Sequence, residues 1–213
     1  MTVSKHVYVV DDDSMVRSST GYFLESSGYV ARMWSSGQAF IDDMPGLSPG
    51  CVLLDVRMPQ IDGLQVIELM HDRLAQLPVI VMTGHGDIAT AVQAMKLGAS
   101  DFHEKPFDET TLIETLERLF AALGKQVEAD DQRAEAAQRL KQLTKREVDI
   151  LQGLAEGLPN KVLAYRLGLS VRTVEMHRSN MMNHLGVRSL PEALRLAFLA
   201  GVVALDAGDA GDA

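Results

Sequence analysis

The chain has 213 residues, of which 46% are apolar and 23% are charged. This composition excludes a largely disordered protein, and the length suits two small globular domains. No apolar run approaches the roughly 18 to 20 residues of a membrane span, and the chain start lacks the pattern of a secretory signal. The single cysteine, Cys51, excludes an internal disulfide, which fits the reducing, cytoplasmic location that we expect. Because no membrane span is predicted, we also expect no membrane association.

Charge is distributed unevenly along the chain. Residues 1–123 carry a net charge of -9, whereas residues 143–201 carry a net charge of +3. This asymmetry predicts two domains with different partners. The segment 124–142 is polar and free of proline, and it is predicted to be a helical linker. The Ala-, Gly- and Asp-rich residues 202–213 are predicted to be disordered.

Five short apolar runs in the first half predict strands of a parallel sheet. Three of the runs are nearly continuous hydrophobics, which is typical of strands buried on both faces. The predicted strands are His6–Val10, Tyr29–Trp34, Cys51–Asp55, Pro78–Met82 and Asp101–Glu104. Alternation with helices predicts an α/β fold, a doubly wound five-stranded parallel sheet.

Helical spacing of apolar residues predicts which helix faces pack on the sheet. The predicted inward sets are Val16, Thr20, Phe23 and Leu24; Leu64, Ile67 and Leu74; Ile88, Val92 and Met95; and Leu112, Leu116 and Leu119.

Charged and hydroxyl side chains follow the predicted strands. They are Asp11, Asp12 and Asp13 after the first strand, Asp55 at the end of the third, Thr83 after the fourth and Lys105 after the fifth. Carboxyl ends of parallel strands meet at one edge of the sheet, which is where ligands of such folds bind. Clustered carboxylates attract a hard cation such as Mg²⁺. The set therefore predicts a carboxylate poised to become an acyl phosphate, with a cation and a hydroxyl for the phosphoryl oxygens.

These residues resemble the signature of bacterial response-regulator receivers. The resemblance covers residues 4–122 and is carried by Asp11–Asp12, Leu54–Pro59, Met82–Asp87 and Glu104–Phe107. The Thr-Gly-His-Gly-Asp sequence from Thr83 to Asp87 is similar to the FixJ subgroup.

The resemblance implies a role for each of these positions. Asp55 would be the phosphoacceptor, and Thr83 and Lys105 would contact the phosphoryl group. Asp12 and the backbone carbonyl of Arg57 would bind Mg²⁺ together with Asp55, and Asp11 would act through a water on the metal. Thr83 and Phe102 would be the switch residues, whereas Asp13 is a weaker ligand candidate.

Each residue also has a simpler interpretation. An isolated aspartate at a strand end is usually a loop or cap residue, although five such residues in order are hard to explain that way. Lys105 could be a surface lysine, although Pro106 after it suggests a cis peptide. Phe102 could belong to the core, His85 is better explained as a loop residue, and Cys51 as an inert buried one.

Residues 143–200 lack strand patterns and predict helices only. Thr144–Glu147 is a capping box that opens a helix with Val148, Leu151 and Leu154 on one face. A short helix, Lys161–Leu167, is predicted to end at Gly168. Ser170 is the predicted N-cap of a longer helix, Val171–Leu185, that ends at Gly186. A second predicted capping box, Ser189–Glu192, opens a helix to about Ala200.

The short helix, the turn and the longer helix predict a helix-turn-helix. The inward face of the longer helix is predicted to carry Val174, Met181, Met182 and Leu185. Its outward face carries Arg172, Glu175, Met176, Ser179 and Asn183. A surface that reads a DNA groove needs polar residues and long side chains, and this face offers both. Candidate phosphate contacts are Lys161, Arg172, Arg178 and Arg188.

Residues Leu143 to Ala200 are similar to the LuxR/NarL-type DNA-binding domain, through Leu143–Glu147, Gly157–Lys161, Leu167–Glu175, His177–Arg178 and Leu185–Ser189. The resulting DNA-binding set is Lys161, Arg172, Thr173, Glu175, Met176, Arg178, Ser179 and Arg188. Glu175 could instead pair with a nearby arginine, and His177 could bond a phosphate or sit half-buried.

Together the two halves predict a phosphorylation-controlled DNA-binding transcriptional regulator that is not an enzyme. Its expected partners are a sensor histidine kinase, double-stranded DNA, a second copy of the chain after phosphorylation and, as a further candidate, RNA polymerase. Mg²⁺ is the expected cofactor. The alternatives are a Mg²⁺ phosphatase, which usually needs a second acid and a cap domain, and a LuxR-type receptor for a diffusible signal, which needs an aromatic pocket.

Overall fold

The structure is a computed structural model that describes residues 5–84 and 88–203. His85 and the predicted tail from residue 204 onward lie outside the described residues. The chain divides into two compact units, Met1–Gln126 and Val127–Ala213, and each unit is described by itself.

The first unit is built on a five-stranded parallel sheet. The strands are β1 (His6–Val10), β2 (Val30–Trp34), β3 (Cys51–Asp55), β4 (Val79–Thr83) and β5 (Asp101–Glu104), in the order β2-β1-β3-β4-β5. Every neighbouring pair is parallel, and Val10 pairs with Leu54 and Asp55 with Met82. This confirms the predicted doubly wound sheet.

Helices cover both faces of this sheet. They are α1 (Ser14–Ser26), α2 (Gly37–Asp43), α3 (Gly63–Leu69), α4 (Ile88–Lys96) and α5 (Glu109–Leu140), with 3₁₀ turns at Met44–Gly46 and His71–Arg73. One apolar cluster packs α2 and α3 on the sheet, and a second packs α1 and α5 on the other face. Helix α5 continues through Gly124, so this glycine does not end it.

Of the predicted helix faces in this unit, the α4 face is wrong, and the α3 set packs as predicted but extends beyond its helix. Leu74 lies beyond α3, after the 3₁₀ turn, although it still packs against the same cluster. On α4, Val92 and Met95 are 48% and 43% exposed, whereas Ala91 and Ala94 are buried. The small alanines allow α4 to approach the sheet closely, which turns the longer side chains outward. The side chain of Ile88 lies outside the described residues.

The second unit contains the end of α5 and four further helices. These are α6 (Lys145–Ala155), α7 (Asn160–Leu167), α8 (Val171–Leu185) and α9 (Leu190–Leu199). Gly168 and Gly186 end α7 and α8 with φ of 66°, a left-handed conformation that favours glycine. The core of the unit is formed mainly by Ile150, Leu151, Leu163, Val174, Met181, Leu185 and Ala197.

The two predicted capping boxes have different outcomes. Thr144 and Glu147 form both bonds of the box that opens α6. Ser189 makes no side-chain cap bond: its hydroxyl donates to Glu192 Oε1 at 2.9 Å instead. Pro191 removes one of the backbone N–H donors that a cap serine can accept from.

Within residues 5–84 and 88–203, no helix is long and apolar enough to cross a bilayer.

Candidate functional sites

Three carboxylates meet at the carboxyl edge of the sheet. Asp11, Asp12 and Asp55 each offer one oxygen, and these oxygens lie within 4.8 Å of one another. Asp11 is fully buried, Asp55 is 8% exposed and Asp12 is exposed. The structure thus brings together the predicted carboxylates that are 44 residues apart in sequence. Oxygen donors of this kind suit a hard cation such as Mg²⁺.

Lys105 provides positive charge at this cluster. Its Nζ donates to Asp11 Oδ2 at 2.7 Å and to Asp55 Oδ1 at 2.8 Å. Burial works to lower the pKa of Lys105, but the bonds to the two carboxylates raise it above its ordinary value. Burial raises the pKa of Asp55, and the Lys105 bond opposes that rise. The site is therefore an incompletely neutralised acidic pocket with a charged ammonium inside it.

The backbone holds the pocket in shape. The Lys105 N–H donates to the carbonyl of Thr83 at 2.8 Å, and Thr83 is 2% exposed at the end of β4. The Lys105–Pro106 peptide is cis. Gly63 begins α3 directly against Asp55, since a Cβ there would stand 2.4 Å from the Asp55 carbonyl oxygen. Only glycine allows α3 to start this close to the pocket.

Asp13 lies outside the pocket and caps α1. Its Oδ1 accepts from the N–H groups of Met15 and Val16, at 2.8 and 3.3 Å. Sequence reasoning missed Arg17, whose Nη1 donates to the carbonyl of Asp11 at 2.6 Å and so fixes the loop after β1. Arg17 lies one turn into a helix, where a lone arginine gives no sequence signal.

The side chain of Arg57 is exposed and lies against Gly84, where a Cβ would stand 2.5 Å from its Nη2.

Phe102 is 43% exposed, so the alternative that made it a core residue is wrong. Because His103 is buried against Thr115 of α5, the alternation of β5 places Phe102 on the α4 side. Val92, Met95 and Phe102 are together called the α4–β5 apolar surface below.

The second unit presents the predicted surface on α8. Arg172, Glu175, Met176, Ser179 and Asn183 are exposed, while Val174, Met181 and Leu185 are buried and Met182 is half-buried. Lys161 and Arg188, the two candidate phosphate contacts outside α8, are also exposed. The described geometry therefore has the inward and outward faces that the spacing predicts.

Thr173 and Arg178 are half-buried and have partners inside the unit. The Thr173 hydroxyl is 2.7 Å from that of the N-cap Ser170. Arg178 Nη1 donates to Asn160 Oδ1, a bond between α8 and α7 that sequence reasoning missed. Glu175 has no ion pair within residues 5–84 and 88–203, so its alternative role as an arginine partner is not observed there.

Comparison with known proteins assigns both units. Residues 7–117 match the response regulator receiver domain, and residues 141–197 match the bacterial regulatory proteins of the luxR family. The transcriptional regulatory protein FixJ of Azorhizobium caulinodans is 46% identical over 97% of this chain and 98% of its own length. FixJ of Rhizobium meliloti is 42% identical over 92% and 96%. The chain is a response regulator of the FixJ family.

Solved structures agree with this family membership. The response regulator StyR has a TM-score of 0.81 with 34% identity, covering 92% of this chain and 99% of its own. Full-length FixJ from B. japonicum has a TM-score of 0.57 with 40% identity, covering 94% and 98%. This FixJ-family regulator is therefore a phosphorylation-dependent transcriptional regulator.

Family membership also bears on the partners and alternatives. The receiver and LuxR-type domains support a histidine kinase partner and DNA binding. Receivers generally bind Mg²⁺ at an acidic pocket such as this one. The receiver match leaves the diffusible-signal receptor without support, and response regulators are not usually enzymes, which disfavours the phosphatase.

Proposed function

We propose that Asp55 is the phosphoacceptor of this regulator. The supporting observation is that Asp55 combines access to solvent with contact to Lys105. Asp11 contacts the same ammonium but is fully buried, and Asp12 is exposed but makes no bond to Lys105 within the described residues. A phosphodonor can therefore reach only Asp55 beside the cation.

The chemistry follows from this placement. A carboxylate oxygen of Asp55 attacks the phosphorus of the kinase phosphohistidine, the P–N bond breaks, and the ring nitrogen keeps the bonding pair and takes up a proton from solvent, so that neutral imidazole leaves. Thr83 and Lys105 donate to the phosphoryl oxygens that arrive. Asp11, Asp12, Asp55 and the backbone carbonyl of Arg57 would hold Mg²⁺. When bound, the metal supplies positive charge that stabilises the transferring phosphoryl group.

Phosphorylation is proposed to produce a homodimer through the α4–β5 apolar surface. Thr83 and Lys105 would move toward the phosphoryl group and favour an inward position of Phe102, which changes the neighbouring surface. Val92 and Met95 already expose apolar area on α4. Two copies would then place two helix-turn-helix units on DNA half-sites about one helical turn apart.

Val92→Asp is expected to prevent this dimer, because it introduces a charge into an apolar contact. Sedimentation with beryllium fluoride, a phosphoryl mimic, should show a dimer for wild type and a monomer for the variant. Leu69→Asp on α3 is the matched control, since Leu69 is an apolar residue that is 58% exposed on a different helix. Dimer formation by Val92→Asp, or its loss in both variants, contradicts the proposed surface.

The proposed DNA contacts divide into phosphate and base contacts. Lys161, Arg172, Thr173, Arg178 and Arg188 are assigned to the backbone, and Glu175, Met176 and Ser179 to base edges. The exposed position of the last three on α8 supports this assignment. The protein acts as a stoichiometric switch rather than an enzyme, and we place it in the cytoplasm, where its DNA and RNA polymerase, a further proposed partner, are found.

Glu175→Ala is expected to relax base preference at one position by roughly 1 to 3 kcal/mol. Lys161→Ala should instead weaken binding to all duplexes and reduce the salt dependence, because it removes a phosphate contact. Affinities for selected and scrambled duplexes at several salt concentrations separate the two effects. Arg166→Ala is the control, since Arg166 pairs with Glu156. An equal loss on both duplexes for Glu175→Ala would remove it from the base contacts.

A further inference from the structure

Glu147 is the ionisable side chain that is buried in the second unit, among residues 127–203. It lies in the first turn of α6 and is only 2% exposed. Its Oε2 accepts from the Thr144 N–H at 2.8 Å, and its own N–H donates to Thr144 Oγ1 at 3.4 Å. These two bonds complete the capping box. A capping box forms equally well at a solvent-exposed helix start, so it does not explain why Glu147 is buried.

The same carboxylate oxygen has a second partner on another helix. His184 Nδ1 lies 3.1 Å from Glu147 Oε2, across a sequence separation of 37 residues. His184 belongs to the last turn of α8, and its side chain is 47% exposed. One buried oxygen therefore links the start of α6 to the end of α8.

This link differs in kind from most contacts of α8. The inward side chains Val174, Met181 and Leu185 pack in the apolar core, which resists separation but has little directional preference. A hydrogen bond restricts direction as well as distance. The Arg178–Asn160 bond supplies a second directional contact, nearer the middle of α8. Two such contacts at different heights fix both the rotation and the tilt of the helix.

We propose that Glu147 is a positioning residue for DNA recognition: through His184 it holds α8 in the orientation that presents Glu175 and Ser179 to base edges. The inference rests on the proposed role of α8 as the reading helix. It extends that role to a buried residue on α6 that touches no DNA.

Burial works to raise the pKa of Glu147, but the bonds from Thr144 and His184 lower it below its ordinary value, which favours the carboxylate form. A hydrogen bond to a charged group is roughly twice as strong as a neutral one. The contact between His184 and the Glu147 carboxylate is therefore a strong directional link.

Other charged groups near this pair are arranged so that they leave it intact. Lys145 and Arg146 precede Glu147 on α6 and are exposed, and Arg146 is 3.6 Å from Asp149. Arg188 follows α8 and is exposed, with its N–H bonded to Glu192. Among residues 127–203, Glu147 is the acid within ion-pair distance of His184.

The experiment uses the full chain and two duplexes, one selected by wild type from random-sequence DNA and one scrambled. His184→Leu removes the contact at a partly exposed position, and we expect the ratio of selected to scrambled affinity to fall about tenfold, as for one bond to a charged carboxylate. His184→Lys keeps a permanent charge and should restore the ratio.

Glu147→Gln should reduce the ratio as His184→Leu does, whereas Glu156→Gln, which breaks the exposed pair with Arg166, should leave it unchanged. If Glu147→Gln fails to fold, the His184 variants still decide. Equal losses on both duplexes for His184→Leu, or failure of His184→Lys to restore the ratio, would overturn the proposal. If Glu175→Ala leaves the ratio unchanged, the assignment of α8 as the reading helix has failed instead.

Discussion

Asp55→Asn is expected to reduce phosphorylation by acetyl phosphate and Mg²⁺ to below about 1% of wild type, because an amide oxygen is not an effective nucleophile. The shape of the side chain and its place beside Lys105 are retained, so the loss reports on chemistry rather than folding. Intact-protein mass spectrometry measures the phosphoryl occupancy directly, and a comparison before and after acid treatment identifies the acid-labile phosphate.

Asp13→Asn is the matched control for this measurement. Asp13 is two residues from Asp11 in the same loop, but its carboxylate caps α1. It should retain full phosphorylation, since asparagine is also a good N-cap residue. Full acid-labile phosphate in Asp55→Asn, or its disappearance in Asp13→Asn, would show that the phosphoacceptor has been assigned to the wrong residue.

Lys105→Met is expected to lower the free energy of unfolding of the receiver by about 3 kcal/mol, because it leaves buried carboxylates without their cation. Lys105 bridges Asp11 and Asp55, and its side chain is only 21% exposed. Mg²⁺ should stabilise this variant more than wild type, since the metal takes over the neutralisation that the ammonium provides.

Urea unfolding followed by the fluorescence of Trp34 tests this, because Trp34 is the single tryptophan and is buried in the receiver. The raised pKa of Lys105 means that its stabilisation is complete below the ordinary lysine pKa and is lost as the pH rises through the raised value. Wild type and Lys105→Met should therefore converge at alkaline pH. Lys96→Met, at an exposed lysine, is the control. Equal stability of Lys96→Met and Lys105→Met without Mg²⁺, or equal stabilisation of both by Mg²⁺, contradicts the prediction.

The sequence was informative wherever the structure follows from local pattern. The bounds of β1 and β3 were predicted because their apolar runs end at polar residues, and the ends of α7 and α8 follow from Gly168 and Gly186. The acidic pocket could be predicted because topology alone brings strand ends together. The residues of this pocket could be predicted from the strand ends without knowledge of side-chain geometry.

What the sequence could not provide are contacts between distant polar residues and the choice between similar helix faces. Arg178 and Asn160 are 18 residues apart, and no periodicity pairs them. On α4, apolar spacing favoured Val92 and Met95, because a pattern that weights size cannot detect that two alanines fit the space against the sheet. At the start of α9, the Ser189 hydroxyl bonds the Glu192 side chain and makes no cap bond, although the serine–glutamate spacing predicts a capping box.

The alanine-lined inner face of α4 also has a bearing on local stability. Burying Ala91 and Ala94 removes far less apolar area from water than burying leucine or phenylalanine, so little hydrophobic free energy holds this helix to the sheet. Helix α3, by contrast, buries Val66 and Ile67. Elements with little buried apolar area open at low free-energy cost, without global unfolding. Backbone amides of α4 should therefore exchange with deuterium well before those of α3, which makes α4 the segment that a few new bonds at the pocket can displace most readily.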